Sequence, residues 1–265
     1  MRYVRILFLH LENIFEYKSV SFVWFLVTLI NPLIYLIFWW GSFVGSAHPP
    51  TAISLSSITS YYFLMVIFAA LVQSHVEENV ANDDILLGGL SIYLMKPFSY
   101  FWLKFYHELP YRIMQGTFAV IVFLLFHLFL GKFISITGSL SIWIWGIAIA
   151  ILAYFLSFIF KMVIGISALW FTDFFGLSQL IDAIILIFSG MVVPLGLFPE
   201  LLKTIATKLP FAYIIYYPVL VFQGNLDQAE MARILFIQLM WFVLLYCLYQ
   251  ILWHKGIRKY TGIGQ

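Results

Sequence analysis

The chain has 265 residues, 63% of them hydrophobic and 10% charged, with fourteen basic side chains against twelve acidic ones and a mean hydropathy of +1.00. A soluble domain carries about 25% charged residues and needs polar atoms to cover its surface, so this composition excludes a water-soluble protein and requires apolar residues to face lipid as well as one another. The net charge of +2 says little in sum, and no nucleic-acid partner is expected.

Residues 2–19 mix charges into an apolar segment in which Val4, Leu7, Phe8, Leu11, Ile14 and Phe15 recur at three and four. That spacing predicts an amphipathic helix on the membrane surface, in contrast to the uninterrupted apolar core of a signal peptide. A spanning helix needs about 20 mostly apolar residues. The first such run is 22–44, with Asn31-Pro32 expected to kink it, followed by a short polar loop at 45–57. The second span is expected at 58–76 and stops abruptly at Glu77-Glu78. Residues 77–111 form the longest polar stretch between spans, yet keep Leu86, Leu87, Leu90, Ile92, Leu94 and Met95, which predicts short interfacial helices. Further spans are expected at 113–130 and 140–160, the latter with Trp143 and Trp145 in an outer aromatic belt.

The fifth span is expected at 177–193. Residues 194–225 hold Pro194, Pro199, Pro210 and Pro218 but stay apolar. They are too broken for one straight span and too apolar for a solvated loop, which fits a re-entrant helical pair buried by protein. The last span is expected at 234–253, ahead of a basic tail. With both ends on the cytoplasmic side, the inner segments carry Arg2, Arg5, Lys18, Lys96, Lys104, Arg112, Lys161, Lys255, Arg258 and Lys259. The outer segments then carry Lys132, Lys203, Lys208 and Arg233. This asymmetry satisfies the positive-inside rule. The fold class expected is all-α: a polytopic membrane protein with six transmembrane helices, an N-terminal interfacial helix and a re-entrant extracytoplasmic segment, in one domain covering 1–265.

Asp182 is the one acidic residue inside a clear span. Such residues are costly and often functional. Three readings are open: a pair with Lys161, a position on a translocation path, or a favourable charge near a helix N-terminus. The six histidines are dispersed along the chain without metal-site spacing, and Cys247, the only cysteine, reads as a packing residue. No metal is expected. There is no phosphate-binding loop and no catalytic serine or zinc-protease signature.

Three stretches carry a family likeness. Gly88-Gly89-Leu90-Ser91-Ile92-Tyr93-Leu94-Met95-Lys96-Pro97 resembles a G-x-L-x-x-Y-L-x-[KR]-P segment after a second span, departing from it in having no charged residue near the first glycine. Ser189-Gly190-Met191-Val192-Val193-Pro194-Leu195 with Phe198-Pro199 is the second. Leu209-Pro210-Phe211, Tyr217-Pro218 and Gly224 form the third. In this order they resemble the membrane subunits of ATP-binding-cassette exporters of the type-2 permease class, in particular a bacterial six-span branch that works beside a sister permease and a separate ATPase.

The resemblance implies a permease subunit of an ATP-driven exporter in the bacterial cytoplasmic membrane. This chain would have no enzymatic activity and no cofactor of its own, with ATP and Mg on the partner ATPase. Its other partner would be a second permease half, a sister chain being favoured over a second copy. The resemblance also implies an ATPase-coupling loop that includes Glu77, Glu78, Asp83, Asp84, Gly89, Leu90, Tyr93, Leu94, Lys96 and Pro97. An outer gate is implied at Gly190, Pro194, Leu195, Pro199, Pro210, Phe211, Tyr217, Pro218 and Gly224. A non-transporting membrane scaffold is the principal alternative. An intramembrane enzyme would need convergent polar residues at one depth.

Overall fold

The computed structural model describes residues 2–45, 54–130, 139–171, 173–224 and 226–261. Among them every regular element is helical, and five helices are long and apolar enough to cross a membrane. The protein is an all-α polytopic membrane protein.

Helix α1 (Arg2–Glu16) meets α2 (Lys18–Gly45) at an elbow on Tyr17. α1 lies along α6 (Tyr100–Leu130). The Tyr3 ring stacks on Tyr106 at 5.4 Å and meets the edge of Phe98 at 5.5 Å. Pro32 sits inside α2 without ending it, as is tolerated where neighbours satisfy the freed carbonyl. α3 (Leu55–Val72) starts on Ser54, whose side chain accepts from the Ser57 N–H.

Beyond a break at 73–75 the chain resumes as α4 (Val76–Glu78) and then winds as a π-helix over Asn79–Leu86. Eight residues of π-helix are uncommon, since this winding occurs mostly as single-turn bulges. Seven residues along an α-helix return to nearly the same face. The wider winding turns Asp84 away from the face used by Glu77, and the two carboxylates accordingly reach different helices, α6 and α7. Gly88, at φ 81°, turns the chain out of the π-helix, a conformation that favours glycine. At Gly89 a Cβ would stand 2.6 Å from the Asp83 carbonyl oxygen. Both glycines of the pair thus have a backbone reason. α5 (Leu90–Leu94) and a turn through Lys96-Pro97 lead into α6.

Hydropathy placed the third span at 113–130, but its helix begins at Tyr100 and runs through Pro110. The polar residues Lys104, Glu108 and Arg112 lie inside it, buried and paired. α7 (Leu140–Ile166) is the core helix, burying Ile149, Ala153, Leu156, Phe158, Ile159 and Met162. It packs most extensively against α11 (Gln228–Gly256), whose start is fixed by a capping box between Asp227 and Glu230. α8 (Phe174–Phe188) has 15 residues, short of the roughly 20 that a straight span requires. It ends at a turn on Gly190, φ 82°.

The proline-rich stretch contains α9 (Glu200–Ala206), a 3₁₀ turn at Pro210–Tyr213 and α10 (Tyr216–Gln223). The two arms, Glu200–Ala206 and Pro210–Gln223, are bent by 71° and together are apolar enough to count as a sixth, broken span. Gly224, φ 76°, closes α10.

Candidate functional site

The two ends of α3 define two polar regions. At its start, Tyr61 and Tyr62 donate to the carbonyls of Gly190 and Val192, each at 2.7 Å. Trp39 donates to the Tyr62 hydroxyl at 2.9 Å, and Gln223 donates to the Ser57 carbonyl at 2.9 Å. The turn after α8 and the end of α10 are thereby tied to one end of α3. Of the residues expected at an outer gate, Gly190, Pro194, Leu195, Pro210, Phe211 and Pro218 are buried and Tyr217 is half-buried. Pro199 and Gly224 are exposed. Gln238 of α11 donates to both the Ile149 and Tyr213 carbonyls, which fixes the bend between the two arms against the core.

The opposite end of α3 carries the loop of 77–99. Glu77 is fully buried and ion-pairs with Lys161 of α7. Lys161 also holds Asp182 of α8 at 2.6 Å, with the Asp182 side chain 38% exposed. Of the three readings open for Asp182, this is the pair with Lys161. Asp84 pairs with Lys104 at 2.5 Å and accepts from the Tyr100 hydroxyl, while Lys104 also donates to Asn79. Glu108 pairs with Arg112 at 3.0 Å and takes two more hydrogen bonds, from the Ser74 hydroxyl at 2.6 Å and the His75 N–H at 2.9 Å. Arg112 reaches His75 Nδ1 at 2.8 Å. Buried charges persist only when paired and hydrogen-bonded; here Glu77 and Asp84 tie the 74–84 segment to α7 and α6 by ion pairs, and Ser74 and His75 tie it to Glu108 of α6 by hydrogen bonds.

Glu77 and Asp84, expected as surface charge on the loop, are therefore part of its internal fastening. Glu78 and Asp83 remain exposed. Leu90 is fully buried and anchors α5. Tyr93 is half-buried, with the ammonium groups of Lys104 and Lys96 over its ring at 4.7 and 5.1 Å. Beside the exposed Glu78, Asp83 and Lys96, the loop also leaves apolar side chains exposed: Leu87 at 72%, Met95 at 79%, and Leu86, Ile92, Leu94 and Pro97. The tail packs behind it, with the Tyr260 hydroxyl donating to the Gly88 carbonyl at 2.7 Å. The Ser99 N–H donates to the Tyr3 hydroxyl at 3.2 Å, so the described parts of both chain ends flank this same loop.

A family model described as ABC-2 family transporter protein matches residues 29–264. The chain belongs to this family. No curated protein matches it. As an ABC-2 permease, the chain is the membrane component of an ABC transporter and is not itself catalytic; the family implies an ATPase partner on a separate subunit. The match takes in α3 to α11 and the last half of α2, and so includes both polar ends of α3. The buried partners of the permease loop, Lys104, Arg112 and Lys161, were legible only faintly: Glu108 and Arg112 stand at the i,i+4 spacing of a helical ion pair, whereas nothing local links residue 77 to residue 161.

Proposed function

We propose that this permease is one half of an ATP-driven exporter in a bacterial cytoplasmic membrane, with both termini inside, and that the surface formed by Leu86, Leu87, Ile92, Leu94, Met95 and Pro97 seats in its ATPase. The observation that carries this reading is the pairing of an exposed apolar surface with a fastened base. Exposed apolar residues gathered on one loop mark a contact with another protein, and the ion pairs behind them tie that loop to α6, α7 and, through Lys161, α8. A push from an ATPase as it binds ATP and Mg would pass through a rigid element into three helices rather than be absorbed by a flexible loop. The re-entrant arms at the far end of α3 would close the outer side. The second half is a sister permease by family resemblance, a second copy being the alternative arrangement.

Affinity purification of the tagged chain from native membranes tests this. An ATPase carrying a phosphate-binding loop should co-purify, and be lost when residues 90–97 are replaced by a neutral linker in a variant that still inserts. Intact chain recovered with other partners but without any ATPase would overturn the reading in favour of a membrane scaffold. A second permease in the same eluate would identify the other half.

A further inference from the structure

Three of the six histidines, His10, His75 and His107, come together around one cavity of about 410 Å³, within the range of small-molecule sites. Its walls come from α1 (His10, Asn13, Ile14), the elbow and the first turn of α2 (Tyr17, Val20, Ser21), α4 with the residue before it, Asn79 of the π-helix, and α6 (His107, Glu108, Tyr111, Arg112). His10 and His107 meet edge to face, ring centroids 4.2 Å apart. Burial and then the charge of Lys104 hold His10 below the usual histidine range, so it offers hydrogen bonds in place of charge. Among the described residues no group of three or more His, Cys, Asp or Glu has metal-holding geometry.

The charged groups on the cavity wall are Glu108 and Arg112, paired with each other. Glu108 accepts from the Ser74 hydroxyl on one carboxylate oxygen and from the His75 N–H and the Arg112 Nε on the other. A guanidinium carries five N–H donors. Arg112 engages Nε with Glu108 and Nη2 with His75, while its Nη1 group makes no hydrogen bond to any described residue. Arg112 is nonetheless buried, at 5% exposure. A guanidinium held in a largely buried side chain, with donors to spare on a cavity wall, is suited to a phosphate oxygen.

Depth decides which phosphate. The apolar span of α2 begins at Lys18, so a cavity walled by Tyr17, Val20 and Ser21 lies at the level where headgroups meet hydrocarbon. From its mouth a stripe of Tyr17, Val20, Trp24 and Val27 descends one face of α2, all exposed and spaced at three and four. That stripe is a track for an acyl chain whose phosphate sits in the cavity. We propose that this cavity binds the phosphate of one phospholipid of the adjacent leaflet, held by Arg112 and hydrogen-bonded by the histidines and Tyr111, with its chain along α2. The site would clamp α1 to α2 and α6, next to the loop. That it faces the cytoplasmic leaflet rests on the orientation proposed above. Its existence does not, and its test reads lipid retention, independent of any ATPase.

Full-length permease, purified in mild detergent and supplied with phosphatidylglycerol, is examined by native mass spectrometry at rising collision energy. Wild type should retain one phosphatidylglycerol after annular lipids are stripped, and diacylglycerol of the same chains should not be retained. Asn13→Trp fills the cavity from an exposed position and replaces neither member of the Arg112–Glu108 pair. It should lower retention about tenfold, as expected for losing a hydrogen bond to a charged group, with an unchanged thermal midpoint. The double variant His10→Leu with His107→Leu should also lower it. Equal retention by wild type and Asn13→Trp would overturn the proposal, as would equal retention of diacylglycerol. Displacement of the bound lipid by millimolar inorganic phosphate would overturn it in favour of a site for free phosphate.

Discussion

Lys161 stands between two carboxylates of unequal standing. Glu77 is fully enclosed, while the Asp182 side chain keeps 38% of its surface. Removing the cation strands a buried carboxylate, a defect that costs about 3–5 kcal/mol. Removing the half-exposed partner leaves Lys161 still paired with Glu77. Lys161→Met should therefore unfold the purified protein at markedly lower denaturant, and Asp182→Asn should cost less than half as much. Equal losses in the two variants would show that both carboxylates contribute alike to the pair. The same residues show what a sequence withholds at this scale. Glu77 and Asp84 have the look of solvated loop acids, and the histidines look dispersed, because burial and convergence depend on partners 20 to 97 residues away along the chain. The pair of Asp182 with Lys161 was one of several open readings, and the two side chains do meet between α7 and α8. Cys247, expected to pack, is exposed on α11.

At the scale of elements, hydropathy located the long apolar helices well because lipid imposes a requirement on composition that any stretch of about 20 residues displays. It misplaced the start of α6 by thirteen residues for a physical reason: a window average registers Lys104, Glu108 and Arg112 as polar and cannot register that they are paired. The π-helical winding of Asn79–Leu86 had no sequence signal either, since the partners that Glu77 and Asp84 reach lie on two other helices. The surface that this winding presents makes a distinct prediction. Leu87 and Met95 contribute almost nothing to the fold, being 72% and 79% exposed, so Leu87→Asp and Met95→Asp should insert and melt as wild type while losing most of the co-purifying ATPase. Gly89→Val should act through the fold instead, because its side chain meets the Asp83 carbonyl. Its signature would be a lowered melting temperature together with the loss of ATPase.

In the whole molecule, α3 joins two unlike ends. One end carries the loop, flanked by the described parts of both termini. The other holds the turn after α8 through the hydroxyls of Tyr61 and Tyr62. Orientation can be read directly with single cysteines placed in a Cys247→Ala background: Met95→Cys should react with a membrane-impermeant thiol reagent only in inverted vesicles, and Lys203→Cys only in intact cells. The reverse pattern would invert the topology and remove the loop from any cytoplasmic ATPase. Coupling between the ends calls for a milder change. Tyr61→Phe with Tyr62→Phe keeps both rings and their packing and deletes only the hydroxyls that hold the Gly190 and Val192 carbonyls, each hydrogen bond contributing about 1 kcal/mol. If motion at the loop is delivered to the outer turn through α3, the double variant should assemble with its ATPase at wild-type yield, hydrolyse ATP, and export poorly, because the push arrives at a turn no longer fastened to the rod that carries it. Normal export at normal hydrolysis would mean that the outer arms are moved by another route, for which the Gln238 contacts of α11 with the Ile149 and Tyr213 carbonyls are the next connection to cut.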